Sequence, residues 1–178
     1  MSVEPIPDTK DWTWVLARPC QDCGFDAGTI APADVAARLL GAVPVWQDVL
    51  AGVDAARRPA PAVWSPLEYG CHVRDVCLLF AERLDLMLTE DEPTFANWDQ
   101  DETAVAGRYG EQDPAMVATD LAAAAERLAD RFAAVRDPAW QRTGRRGDGA
   151  RFTVSTFAKY FLHDVLHHVH DVTGRRTA

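Results

Sequence analysis

The chain has 178 residues, of which 48% are hydrophobic and 25% charged, and this composition suits one globular domain with a sizeable core. The formal net charge of −9 argues against a nucleic-acid partner, because phosphate binding needs a concentrated basic surface. The same charge disfavours an anionic membrane, and no apolar run approaches the roughly 20 residues that span a bilayer. The N-terminal stretch lacks an apolar signal core, so we expect a cytoplasmic protein.

Residues 1–31 are rich in proline, glycine and aspartate, and we expect an irregular segment that packs on the rest of the chain. This segment contains Cys20 and Cys23, which are spaced as CxxC. One CxxC supplies half of a four-cysteine zinc site, and the sequence contains no second one. We expect a plain turn here, with redox chemistry or metal binding as the alternative.

Apolar residues at helical spacing predict four long helices, at about residues 32–53, 65–88, 113–135 and 154–172. Pro44 lies inside the first helix and should kink or divide it. The second helix begins at Ser65, an N-cap residue, and Glu68 can close a capping box. A long acidic loop, residues 89–112, follows it, and strand-like alternation is scarce. The sequence therefore predicts an all-α fold, in which residues 32–178 form a four-helix bundle.

Four of the five histidines lie close together on the fourth helix. Residues four apart share a helical face, so His163 with His167, or Asp164 with His168, could hold one cation. On a helical wheel, Asp164 and His168 lie at the border of the apolar arc, where neighbouring helices meet. His163, His167 and His170 lie nearly opposite its centre, as expected of a solvated polar face.

The fifth histidine, His72, lies in WSPLEYGCHVRDV on the second helix. From a facing helix it could supply a third ligand, and three protein ligands with an open position describe a catalytic metal site. Metal-bound imidazoles usually donate their other N–H to a carboxylate or carbonyl. Asp75 near His72, and Asp171 near His168, are candidates for such partners. Arg74 could also orient a ligand, but ordinary surface ion pairing explains these residues as well and is preferred for Arg74.

The segment W-S-x-x-E-x-x-x-H, from Trp64 to His72, resembles the second-helix signature of the DinB-like superfamily. This superfamily includes metal-dependent four-helix-bundle proteins such as thiol S-transferases and the N-terminal domain of mycothiol-dependent maleylpyruvate isomerase. The tail from His168 to Val172 resembles the end of its fourth helix. The resemblance implies His72, Asp164 and His168 as the metal ligands.

The middle ligand distinguishes branches of this superfamily. Asp164 resembles the isomerase branch, which has an acidic residue there, although as glutamate. Most other members have histidine at this position, and a shift of the register by one residue would select His163 and His167 instead.

Two imidazoles and one carboxylate suit Zn²⁺, with Ni²⁺ or Fe²⁺ as alternatives. The resemblance implies a small thiol, such as mycothiol or bacillithiol, as the nucleophile. We therefore expect a thiol-dependent S-transferase or isomerase that acts on a small electrophilic molecule. A hydrolase that uses metal-activated water is one alternative, and a non-catalytic metal-binding or homodimerising bundle is another.

The loops offer residues that could contact a substrate. Trp98 and Tyr109 could pack against it, and Arg108 or Arg151 could hold a carboxylate through its planar guanidinium group. The competing interpretation is that these aromatic residues anchor the loop and that the arginines pair with nearby acids.

Overall fold

The structure is a computed structural model that describes residues 11–176, so residues 1–10 of the expected N-terminal segment and residues 177–178 of the expected bundle lie outside the described residues. Four long helices confirm the predicted all-α bundle, and a short fifth helix lies in the long connection. In chain order the five are α1 (Val35–Leu50), α2 (Pro66–Thr89), α3 (Gln100–Ala106), α4 (Pro114–Ala134) and α5 (Val154–Thr173).

The bundle places α1 diagonally opposite α2, and α4 diagonally opposite α5. Both α4 and α5 pack against α1 and against α2, so the order around the bundle is α1, α4, α2, α5. Each long helix contributes almost completely buried side chains to one common core, for example Leu39, Leu84, Leu128 and Phe161. Because α2 and α5 are direct neighbours, polar side chains at the border of their apolar faces can meet.

Helix α1 is continuous across Pro44, so the expected division of this helix is absent. Proline cannot donate a hydrogen bond to the carbonyl group four residues earlier. Here both Pro44 and Leu40 are exposed, so water can solvate that carbonyl group and the helix need not be interrupted.

The predicted capping box is present at the start of α2. Ser65 Oγ accepts a hydrogen bond from Glu68 N at 3.2 Å, and Ser65 N donates one to Glu68 Oε2 at 2.8 Å. The Nε atom of Arg58 also donates to both carboxylate oxygens of Glu68. This network fixes where α2 begins and therefore which of its residues face α5.

The segments expected to be loops form a small sheet that the sequence analysis did not predict. Its strands are β1 (Thr94–Phe95), β2 (Thr143–Arg146) and β3 (Arg151–Thr153). Strand β2 pairs in parallel with β1 and antiparallel with β3. These strands are too short, and too rich in glycine and arginine, to show a period-two pattern. Gly144 is required by packing, since a Cβ there would lie 2.8 Å from Met87 Cγ.

The described part of the N-terminal segment, residues 11–31, lies against α5. It contains two short 3₁₀ helices, Trp12–Leu16 and Ala27–Thr29, and buries Cys23 and Phe25 in the main core. None of the helices within residues 11–176 is long and apolar enough to cross a membrane.

Replacing Ser65 with alanine should destabilise the protein, because Glu68 N would lose the Ser65 Oγ acceptor of the capping box, while the backbone N–H of residue 65 would still donate to the Glu68 carboxylate. We expect a loss of about 1 kcal/mol, which lowers Tm by roughly 2–4 °C in a domain of this size. Thermal unfolding followed by circular dichroism measures this change. The control is Ser155→Ala in the first turn of α5, and an equal effect of the two substitutions would contradict the capping account.

Candidate metal centre

Three side chains from α2 and α5 converge on one point. His72 comes from α2, whereas Asp164 and His168 lie one turn apart on α5. One ligand atom from each lies within 4.8 Å of the other two. His72 Nε2 is 3.4 Å, and His168 Nε2 is 3.8 Å, from Asp164 Oδ1. Two ligands bound to one tetrahedral zinc ion lie about 3.4 Å apart, so small adjustments would allow all three to bind one ion.

Buried polar atoms at this point have no hydrogen-bond partner. His72 is fully buried, and neither of its ring nitrogens forms a hydrogen bond with any residue in the range 11–176. Asp164 Oδ1 is buried and lacks a hydrogen-bond partner in the same way. Each such atom costs about 1–3 kcal/mol if nothing replaces its lost water. A cation coordinated by these atoms would supply that missing interaction, so the residues fit a metal site.

The charge of Asp164 also suits a metal ligand. Burial opposes ionisation of this carboxyl group, but attraction to His72 and to His168 outweighs burial and lowers the pKa of Asp164 to about 2. The side chain is therefore a carboxylate at neutral pH, the form in which it can bind a cation.

The orientation of His168 is fixed by a carboxylate on the same helix. His168 Nδ1 lies 2.8 Å from Asp171 Oδ2, which leaves Nε2 directed towards Asp164. A carboxylate that holds the far nitrogen of a ligating imidazole is common in metal sites. Asp75 does not orient His72 in this way, because its carboxylate accepts hydrogen bonds from Arg74 and from the Tyr109 hydroxyl group.

Aromatic rings enclose His72. The Trp98 ring stacks on it at a centroid distance of 5.5 Å, and the Trp64 ring lies at the same distance on a tilted plane. The His168 ring meets it edge to face at 4.8 Å. Trp64 lies eight positions before His72 in the sequence, and its ring fixes the orientation of the imidazole and keeps water away from it.

The centre opens into a cavity of about 520 Å³, and Asp164 and His168 form part of its wall. The remaining wall combines aromatic and cationic side chains with histidines and carboxylates: Trp12, Trp64, Tyr69, Phe80, Arg83, Trp98, Arg146, Tyr160, His163, His167, Asp99, Asp101, Asp148 and Asp171. A cavity of this volume lies in the range of small-molecule sites.

Of the expected substrate-binding residues, the structure brings only Trp98 to this cavity. Tyr109 is 2% exposed and directs its hydroxyl to Asp75. Arg151 is exposed on β3, where it pairs with Glu92, and Arg108 pairs with Glu111. Within the described chain, neither Tyr109 nor Arg151 lines the cavity, and both make the local anchoring contacts that were the competing interpretation.

Two other arginines, Arg83 and Arg146, line the cavity instead. Arg83 follows His72 on α2 by about three helical turns, so the wheel that was applied to α5 would also have identified it. Arg146 reaches the cavity from β2, and its position depends on a strand pairing that the sequence did not reveal.

The alternative histidine pair faces a neighbouring site. His163 and His167 point towards Cys20 and Cys23, with Cys20 Sγ 3.6 Å from His167 Nδ1. The expectation that His163 lies on a solvated face is wrong, since this residue is 3% exposed. Residues 11–31 cover this face of α5, so a helical wheel for the bundle alone could not show the burial.

If the three side chains bind one ion, His72→Ala and Asp164→Ala should each remove one equivalent of metal, because two ligands seldom retain a divalent ion. Elemental analysis of untagged protein measures the occupancy. His170→Ala is the matched control, since His170 lies on the same helix but bonds to the Arg175 carbonyl group outside the cluster. Full metal content in His72→Ala would contradict the assignment.

Comparison with known proteins supports the fold and identifies the family. The DinB superfamily matches residues 46–172, which is well over half of the chain. YfiT from Bacillus subtilis, described as a probable metal-dependent hydrolase with an unusual four-helix bundle topology, superposes with a TM-score of 0.61 at 19% identity, over 80% of this chain and 82% of YfiT. No curated protein matches the chain significantly. The chain belongs to the DinB superfamily.

Proposed function

We propose that the protein is a metal-dependent enzyme that transfers a low-molecular-weight thiol to a small electrophilic molecule, or isomerises that molecule with the thiol's help. The observation that carries the proposal is the convergence of two imidazoles and one carboxylate beside a cavity large enough for both reactants. Asp164 in the middle position favours the isomerase-like branch, which the resemblance associates with an acidic ligand.

The donor set suits Zn²⁺, with Ni²⁺ or Fe²⁺ as alternatives, and His72, Asp164 and His168 would hold the ion. A bound ion would supply Lewis acidity and would favour the thiolate form of a coordinated thiol at neutral pH. Mycothiol and bacillithiol are the thiols we would test first. A reducing cytoplasm would supply such thiols, so the predicted location is consistent with this chemistry.

The residues of the chain would orient the reactants and exclude water. Trp98 and Trp64 contact the His72 ring and also line the cavity, so they separate the metal centre from solvent. Asp171 keeps His168 in the orientation in which Nε2 faces Asp164. The aromatic rings next to the ligands lower the local dielectric constant, which strengthens electrostatic interactions with a reactant.

Arg83 offers a binding site for an anionic group of the substrate. It is 6% exposed, its Nη2 donates to the Ala96 carbonyl group at 2.6 Å, and the Phe95 ring lies 4.9 Å from Cζ. Burial, together with repulsion from Arg146, lowers the pKa of Arg83 to about 10, so it remains cationic at neutral pH. Within residues 11–176 it forms no ion pair. We therefore propose an electrophile that carries a carboxylate.

A hydrolase is the second candidate, since the description of YfiT favours it and the same ligands could activate water. The two candidates differ in what they consume. Metal-loaded protein should conjugate mycothiol or bacillithiol to an electrophilic probe such as a bimane, with loss of free thiol. Turnover of ester or amide substrates in the absence of thiol would support the hydrolase, and absence of both activities would favour a non-catalytic bundle.

Arg83→Gln should raise KM for a carboxylate-bearing electrophile about 10-fold or more, because loss of a charged hydrogen bond costs about 1.5 kcal/mol or more. Steady-state kinetics with charged and neutral electrophiles measures the change, and the neutral one should be little affected. Arg151→Gln is the control, since Arg151 does not line the cavity. Equal effects of the two substitutions would contradict the role of Arg83.

A further inference from the structure

A second group of metal-ligand side chains lies beside the proposed catalytic centre. Cys20 and Cys23 come from the N-terminal segment, and His163 and His167 come from α5. One ligand atom from each of the four lies within 4.8 Å of the other three. The distance of 3.6 Å from Cys20 Sγ to His167 Nδ1 matches the separation of about 3.6 Å expected for sulfur and nitrogen ligands on one tetrahedral zinc ion.

Burial makes this arrangement costly without a ligand. Cys20, Cys23 and His163 are each 3% exposed or less. His163 Nε2 is buried and has no hydrogen-bond partner among the described residues. Ordinary core packing would not place an unpaired imidazole nitrogen among two cysteines and a second histidine.

The backbone around the cysteines presents both sulfur atoms on one side. Gly24, with φ of +82°, turns the chain directly after Cys23, and its N–H donates to the Cys20 carbonyl group. Cys20 N in turn donates to the Phe25 carbonyl group, which closes the turn. Phe25 N donates to Cys23 Sγ at 3.5 Å, a contact that fixes the position of this sulfur atom.

From these observations we propose that Cys20, Cys23, His163 and His167 form a structural Zn²⁺ site. Four protein ligands complete a tetrahedral shell and leave no position for a substrate, unlike the three-ligand centre next to it. The ion would join the N-terminal segment to α5 and so add to the stability of the fold. This proposal does not depend on which reaction the neighbouring centre catalyses.

The two sites lie side by side on α5 and share one contact. Asp171 Oδ2 accepts from His168 Nδ1, and Asp171 Oδ1 lies 3.8 Å from His167 Nε2. His167 would therefore bind zinc through Nδ1, the atom that faces Cys20, while its other nitrogen is oriented by the carboxylate. His163 and His167 belong to this site, whereas Asp164 and His168, which follow them directly in the sequence, belong to the catalytic centre.

Cobalt substitution tests the proposal, because Co²⁺ bound by thiolates gives a sulfur-to-metal charge-transfer band that a site of imidazole and carboxylate ligands lacks. We expect the wild-type chain to bind two equivalents of metal and to show this band. The double variant Cys20→Ser/Cys23→Ser should lose one equivalent and the band. The matched control Cys71→Ser/Cys77→Ser replaces the two other buried cysteines and should retain both.

The variant His72→Ala separates this site from the catalytic one, since it should lose the other equivalent and keep the band. Folded, cobalt-loaded wild-type protein without the band would overturn the proposal, even if the double variant does not fold. An undiminished band in a folded Cys20→Ser/Cys23→Ser variant would also overturn it. So would a disulfide between Cys20 and Cys23 in protein isolated without chelators, because the thiolates would then be unable to bind zinc.

Discussion

The arrangement of the structure depends on one carboxylate, that of Asp164, whose Oδ1 is buried between an imidazole of its own helix and one of a neighbouring helix. An ionised carboxylate in such a position requires positive charge close by. Nε2 of His72 and Nε2 of His168 face this carboxylate at 3.4 and 3.8 Å, and a divalent ion held between the three would supply that charge. The packing of α2 against α5, the capping box that fixes the start of α2 and the tryptophans around His72 all serve to bring these groups together.

Helix α5 carries two chemically different faces, and its sequence interleaves them. All four side chains border the cavity, but Asp164 and His168 lie with His72 of α2, whereas His163 and His167 lie with Cys20 and Cys23 of the N-terminal segment. Because 3.6 residues make one turn, two pairs with the same spacing can serve separate sites if they are offset by one residue. The pair His163 and His167 and the pair Asp164 and His168 therefore do not exclude each other, because each belongs to its own cluster of metal-ligand side chains.

The bundle and the convergence of the three candidate ligands could be predicted from the sequence, because helical periodicity, the capping box at Ser65 and the histidine spacing are local signals. Two features depended on contacts between distant segments. His163 was expected to be solvated because it lies opposite the apolar arc of α5. A helical wheel of α5 alone could not show that residues 11–31 cover this side chain. The CxxC motif was expected to form a plain turn because the sequence has no second CxxC, whereas histidines of α5 lie next to its two cysteines. The hairpin that carries Arg146 has strands of three and four residues, which leave no recognisable pattern.

The central claim is that His72, Asp164 and His168 bind a common metal ion. An experimental crystal structure of protein loaded with Zn²⁺, with anomalous diffraction recorded at the zinc absorption edge, tests it most directly. The account predicts an anomalous peak about 2.0–2.2 Å from His72 Nε2, a carboxylate oxygen of Asp164 and His168 Nε2, with an open position towards the cavity. A fully loaded crystal with no peak among these three side chains would contradict it.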